Sequence, residues 1–145
     1  MHWTKEKYLI TTDTAMVDID VVHRFLSEQS SWAKNIPRET VARSVRHSLC
    51  FSVLHEGTLI GFARVVSDHA TVAYVGDVFV LPAHQGLGLS KCLMECIIAH
   101  PDLQGLRRWM LATADAHGLY AKFGFTALKA PARWMEKHDM DVYAN

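Results

Sequence analysis

The sequence predicts a mixed α/β fold, and three features carry that expectation. Cys50–Leu54, Leu59–Val66 and Ala70–Val80 are consecutive β-rich runs joined by short turns, the pattern of an antiparallel meander. A glycine-rich loop, Gln85-Gly-Leu-Gly-Leu-Ser90, follows the third run and opens an apolar helix. Beyond that helix a strand, a short helix and another strand alternate, so sheet and helices are expected to share one unit spanning residues 1–145. Half of the residues are apolar, ample for the core of such a unit.

Taken in order, Tyr8–Ile10 is a short apolar run that reads as a first strand, and Thr11-Thr-Asp13 supplies a helix cap. A helix is predicted from about Ala15 to Glu28, because Val17, Ile19, Val21, Val22, Phe25 and Leu26 cover one face. Ser30 to Pro37 breaks the pattern. Pro37 disfavours helix at Ile36 and suits the first turn of a second helix, which carries Glu39, Val41, Ala42 and Val45. His55-Glu-Gly-Thr58 turns the first hairpin of the meander and Ser67-Asp-His69 the second. The apolar helix after the glycine loop turns Leu89, Leu93, Met94 and Ile97 inward and closes at His100-Pro101. Trp109–Ala112 reads as a strand, Asp115–Lys122 as a short helix with Asp115 at its N-cap, Phe125–Leu128 as a further strand and Arg133–Met135 as a last one.

Composition removes several classes of function. Fifteen basic and fifteen acidic side chains leave no whole-chain field to attract nucleic acid or an anionic membrane, so neither is an expected partner. Three cysteines, Cys50, Cys92 and Cys96, make an odd count and read as reduced core residues. No apolar run approaches the roughly 18 residues of a membrane span, and no basic-then-apolar leader is visible; a cytoplasmic protein is the expectation. Nine histidines invite a metal, yet no His-Glu-x-x-His or paired Cys/His spacing occurs, and no metal site is predicted.

The glycine loop has the makings of an anion cradle. Its backbone N–H groups and those of the following helical turn lack intrahelical partners, and the helix dipole favours phosphate there. A Walker loop would need Gly-Lys-Ser/Thr, whereas Lys91 lies between Ser90 and Cys92. A dinucleotide fingerprint would need a third glycine where Lys91 stands, and a βαβ unit in place of the meander. The remaining alternative to a ligand loop is a turn that merely needs two positive φ angles.

Gln85-Gly-Leu-Gly88-Leu-Ser90 resembles the Gln/Arg-x-x-Gly-x-Gly/Ala motif of the GNAT superfamily of N-acetyltransferases, preceded by Val78-Phe-Val80 and Pro82. Leu119-Tyr-Ala-Lys-Phe-Gly-Phe125 is similar to that family's Leu-Tyr-x-x-x-Gly-Phe segment. Two motifs in this order are far more specific than either alone. The resemblance covers the meander through Phe125, and the first fifty residues by order of elements only. It implies a GNAT-like fold, with helices on both faces and a parallel strand pair that splays near Val80, and it implies acetyl-coenzyme A (acetyl-CoA) as cosubstrate.

By that resemblance the main chain of Val78, Phe79 and Val80 pairs with pantetheine and polarises the acetyl carbonyl, while Gln85, Gly86, Leu87, Gly88, Leu89 and Ser90 take the diphosphate. Ser90 replaces the last glycine or alanine, and Thr113 stands where many members carry an asparagine in the cofactor-binding set. The strand glutamate that some members use as base has no counterpart near Arg108, Trp109 and Met110. The resemblance makes Tyr120 the candidate acid for the departing thiolate; the plainer alternative is an aromatic packed beside Phe123 and Phe125. Asp77 is the leading base candidate, because a charge in an apolar strand is costly unless exposed, paired or functional. Strand alternation groups it with Val75 and Phe79; the alternative role is pairing with a nearby Arg or capping backbone. Asp115 and His117 compete with it, His117 by its near-neutral intrinsic pKa, and a water chain could replace any of them. Trp32, Arg38 and Tyr74, with His117, are the candidate walls of the acceptor site; packing and solvated roles compete for each.

An amine acceptor must lose a proton before attacking the thioester, the intermediate carries an oxyanion, and the thiolate needs a proton. The leading expectation is an N-acetyltransferase moving acetyl from acetyl-CoA directly to a primary amine of a small molecule or to a protein amino group. Two alternatives stay open: a non-catalytic acyl-CoA-binding sensor or regulatory module, and an interaction domain with a degenerate loop. A homodimer also stays open, since members of the family often dimerise.

Overall fold

Six strands form one mixed sheet, in the order β1-β2-β3-β4-β5-β6, in the computed structural model, which describes residues 1–144. They are β1 (His2–Lys5), β2 (Tyr8–Thr11), β3 (Leu49–His55), β4 (Thr58–Ser67), β5 (Val72–Val80) and β6 (Arg108–Met110). All neighbours are antiparallel except β5 and β6, which run parallel. The meander β3-β4-β5 therefore stands where the hairpin signals put it. Strand β1 has no signal in the sequence: His-Trp-Thr-Lys is nearly all exposed, and it forms by pairing along β2.

Helices cover both faces. On one, α1 (Ile19–Arg24) and α2 (Arg38–Arg46) bury Val22, Val41 and Val45 against Phe62 and Phe79 of the sheet. On the other, α3 (Leu89–Ala99) buries Leu89, Leu93, Met94 and Ile97 against Phe51, Val65 and Val75, as its periodicity requires. The short α4 (His117–Ala121) brings Tyr120 to that second cluster.

Three sequence expectations give way. The helix expected from Ala15 to Glu28 is split: Asp13 caps a 3₁₀ turn over Thr14–Met16, and α1 starts anew because the Asp18 carboxylate accepts the N–H groups of Asp20 and Val21. It then widens into a π turn over Phe25–Gln29, closed by Ser30 N–H donating to Phe25 O at 3.0 Å. Phe125–Leu128 and Arg133–Met135 are not strands. Phe125 N–H is drawn back to Tyr120 O, and Arg133 and Trp134 donate into a turn over Pro131–Arg133, so neither stretch reaches a neighbouring strand. Nor does Asp115 cap α4: the N-cap is Ala116, no side chain caps the helix, and the Ala116 N–H itself donates to Thr113 Oγ1 at 3.1 Å.

Candidate active site

The parallel pairing of β5 with β6 covers only Val72 to Tyr74, ending at Tyr74 opposite Met110. Past that point the two strands part, and the β6-side edge of β5 from Val75 to Val80 has no strand beside it. A cavity of about 430 Å³ occupies the gap, lined by Val78, Phe79, Val80, Gln85, Gly86, Gly88, Leu89 and Ser90, together with Phe25, His84, Lys91 and Leu119. Of the nine cofactor positions expected on the strand (Val78–Val80) and the loop (Gln85–Ser90), eight line this cavity, and Leu87 sits at the loop's exposed tip.

The loop's shape follows from its glycines. Gly86 and Gly88 have φ of +81° and +77°, where a side chain is strained, and Gly88 is the N-cap of α3, leaving that helix's first N–H groups facing the cavity end. Gln85 Nε2 donates to Val80 O at 2.9 Å, fastening the loop to the end of β5. Lys5 of β1 fastens the other side by donating to Leu87 O at 3.3 Å. His84 joins the wall with its Nδ1 paired to Tyr8 Oη at 2.8 Å.

Asp77 lies in a bulge. Between Arg64↔Gly76 and Phe62↔Phe79 strand β5 carries one residue more than β4, and Asp77 takes φ +52° to absorb it. The extra residue ends the strand alternation: Val75 packs under α3 while Phe79 packs under α1 and α2, so the grouping of Val75, Asp77 and Phe79 on one face is overturned. Asp77 Oδ2 accepts from Arg64 Nε at 2.8 Å and Oδ1 from Trp32 Nε1 at 2.9 Å, and Arg64 Nη1 goes on to Ser48 Oγ at 3.1 Å. The carboxylate is held between the sheet and the connection from α1 to α2.

Aromatic rings connect this network to the wall of the cavity beside β5. Phe25, carried by the π turn, stacks on Phe79 with centroids 4.0 Å apart, and Trp32 lies 6.3 Å from Phe25. Trp32 also lines a second cavity, of about 350 Å³, between the α1–α2 connection and residues 138–144, with Lys34, His138 and Tyr143 among its lining residues.

Tyr120 is buried, 8% exposed, with its ring edge-on to Phe125 at 6.0 Å, and its neighbour Leu119 reaches the cavity wall. Burial, then the charge of Asp115, raises its pKa above the ordinary phenol value, so its proton is retained at neutral pH. The other candidates disperse. Thr113 Oγ1 accepts the Ala116 N–H ahead of α4, His117 is exposed at the start of α4, and Tyr74 is exposed on β5. Arg38 is taken up by Asp20 at 2.7 Å on the surface.

Arg64, Ser48, Phe25 and the 138–144 stretch were not singled out in the sequence. A lone charge inside the apolar run Leu59–Val66 was the available signal for Arg64; for the others, long-range packing alone brings them to the site. Among the described residues no group of His, Cys, Asp and Glu could hold a metal ion, and no helix is long and apolar enough to cross a membrane.

The signature of the Acetyltransferase (GNAT) family matches residues 19–125. A Gibberella zeae protein assigned as an acetyltransferase is 31% identical over 143 residues, covering 83% of this chain and 80% of that one. A crystal structure from Xanthomonas campestris pv. campestris, of a protein assigned to the GNAT family, is 52% identical with a TM-score of 0.93, covering 95% of this chain and 97% of the other. A GNAT family acetyltransferase from Elizabethkingia anophelis, solved with acetyl-CoA bound, shares the fold at 17% identity and a TM-score of 0.62, covering 84% and 78%. The splayed strands, the glycine loop at the head of α3 and a match spanning most of the sequence agree, and the chain belongs to the GNAT family of acetyltransferases, enzymes that transfer an acyl group from acetyl-CoA to an amine.

Proposed function

We propose that this chain is an N-acetyltransferase that moves the acetyl group of acetyl-CoA directly to a primary amine, most simply that of a small molecule, in the cytoplasm. The observation that carries the reading is the open edge of β5 above Tyr74, leading straight into the loop Gln85–Ser90. An extended pantetheine arm can pair there as a strand would, with the diphosphate on the Gly86–Ser90 amides and the head of α3. The thioester then lies beside Val78 and Phe79, where a main-chain N–H can take the developing oxyanion.

In this reading Tyr120, which holds its proton, protonates the departing thiolate. Asp77 takes the proton that the acceptor's ammonium must lose before attack, directly or through water, and its bonds to Arg64 and Trp32 aim the carboxylate. Trp32, which borders the second cavity, is the proposed wall of the acceptor site, while Tyr74 and His117, exposed on β5 and α4, are kept as positions to test. Holding both substrates in line supplies much of the rate, since no covalent intermediate is needed.

The test is thiol release from acetyl-CoA across a panel of amines and amino acids, with calorimetry for acetyl-CoA binding. Amine-dependent release is expected, falling roughly 100-fold or more in kcat for Tyr120→Phe with the KM for acetyl-CoA little changed. Binding without turnover on any amine would replace the enzyme reading by that of an acyl-CoA sensor, and full activity in Tyr120→Phe would remove the tyrosine from the mechanism.

A further inference from the structure

Phe25 is the side chain of the α1–α2 layer that reaches the cavity beside β5. Among the described residues lining that cavity, all others belong to β5, to the turn and glycine loop after it, to α3 or to α4. The half-buried Phe25 ring therefore bounds the apolar end of the cavity, which it shares with Val78, Phe79 and Leu119, and has Trp32 as a further aromatic neighbour.

The ring is fixed from several directions. It stacks on Phe79 at 4.0 Å with the planes 12° apart, and Phe79 has the fully buried Phe62 ring 6.0 Å away. Trp32 lies 6.3 Å from Phe25 and is itself held by its N–H on Asp77. The backbone under Phe25 is pinned as well. The π turn that starts at Phe25 closes on the buried Ser30, whose N–H donates to Phe25 O at 3.0 Å. The Ser30 hydroxyl donates to Leu26 O at 2.6 Å and accepts the Ala33 N–H at 3.0 Å. Single π turns of this kind frequently sit at functional sites.

We propose that Phe25 limits the acyl group of the donor to acetyl, its ring filling the space that the added carbons of a propionyl or butyryl chain need. This rests on the acetyl-CoA reading of the cavity, in which the thioester lies beside Val78 and Phe79. The bonds made and broken are the same for every donor. The amine nitrogen bonds to the acyl carbon and gives up a proton, the C–S bond breaks with its electron pair on sulfur, and the thiolate takes a proton. Only the fit of the alkyl group changes. A ring stacked on one neighbour and bordered by another yields to an extra methylene only by giving up those contacts. One methylene accepted or refused by an apolar pocket is worth about 10- to 200-fold in kcat/KM.

The test compares acetyl-, propionyl- and butyryl-CoA in thiol release with one accepted amine, and in calorimetry with no amine present. The wild type is expected to prefer acetyl-CoA to butyryl-CoA by about 100-fold or more in kcat/KM and by about 10-fold or more in affinity. In Phe25→Ala the rate preference is expected to fall below about 10-fold and the affinity preference to vanish, with Phe25→Leu in between. A purely packing role for the ring would lower the rates with all donors together and leave both ratios unchanged, and that result would overturn the proposal. So would a wild type that binds and uses butyryl-CoA as well as acetyl-CoA. Should Phe25→Ala fail to fold, Phe25→Leu and the wild-type ratios decide. If no amine supports turnover, the enzyme reading falls while the affinity ratios still test Phe25; if no thioester binds, the cosubstrate reading and the role of Phe25 fall together.

Discussion

Asp77 combines a positive φ, a partly buried carboxylate and two charge-assisted bonds, and each has a separable consequence. Removing Arg64 leaves that carboxylate with the Trp32 indole alone, so Arg64→Met is expected to cost about 2–4 kcal/mol in urea unfolding. Trp32→Phe removes a single neutral donor and should cost about 1 kcal/mol. If the two variants are equally mild, the network does not hold the bulge. Tyr120 is governed by a different term. Because its folded pKa is raised, the phenol keeps its proton until the pH passes above the ordinary value of 10.0, and the acid role proposed for it predicts an alkaline limb of kcat above that value. Asp77 was legible as a lone charge in an apolar strand, and so was the possibility of an arginine partner. The bulge that turns it was not, since it arises from one extra residue of β5 against β4 and strand alternation carries no trace of it.

Among the elements, α2 and α3 and the meander β3-β4-β5 were legible because local periodicity and long-range burial agree there. The stretches Phe125–Leu128 and Arg133–Met135 have strand composition, yet β-propensity reports a fit to a pleated neighbour, and neither finds one within the chain. β1 is the converse, a four-residue, mostly exposed strand with no apolar alternation to mark it, which forms because β2 offers an edge. At the glycine loop, Gly88→Ala forces a side chain into φ +77° and brings its Cβ to 3.1 Å from Lys5 Nζ. A loss of about 1–2 kcal/mol is expected, with weaker acetyl-CoA binding by calorimetry. At the other end of α3, His100 is buried, its Nδ1 accepts the Asp102 N–H at 3.1 Å, and burial lowers its pKa from 6.5. The unfolded chain therefore takes up a proton that the folded one refuses. Stability is fully present above pH 6.5 and declines as pH falls through the lowered value, a slope that thermal melting should show and His100→Gln should flatten.

For the molecule as a whole, a ligand that binds only the folded chain raises its stability by mass action. Acetyl-CoA at about 100 times its Kd should add about 2.7 kcal/mol, and about 2–4 °C in Tm per kcal/mol is usual for chains of this size. No shift at saturating cosubstrate would argue against binding altogether. Thiol chemistry reads the packing of both clusters: burial pushes Cys50 and Cys96 up to about 12, whereas Cys92 is half-buried on α3. Iodoacetamide should label Cys92 first in the native protein and all three in urea. Finally, the bond from Trp32 to Asp77 gives the protein an optical handle. Of the four tryptophans, Trp32 alone has its indole N–H on a carboxylate and its ring bordering the second cavity. Its emission therefore reports the polarity and occupancy of that cavity, and the difference in intrinsic fluorescence between wild type and Trp32→Phe tests whether an amine enters it before any turnover is measured.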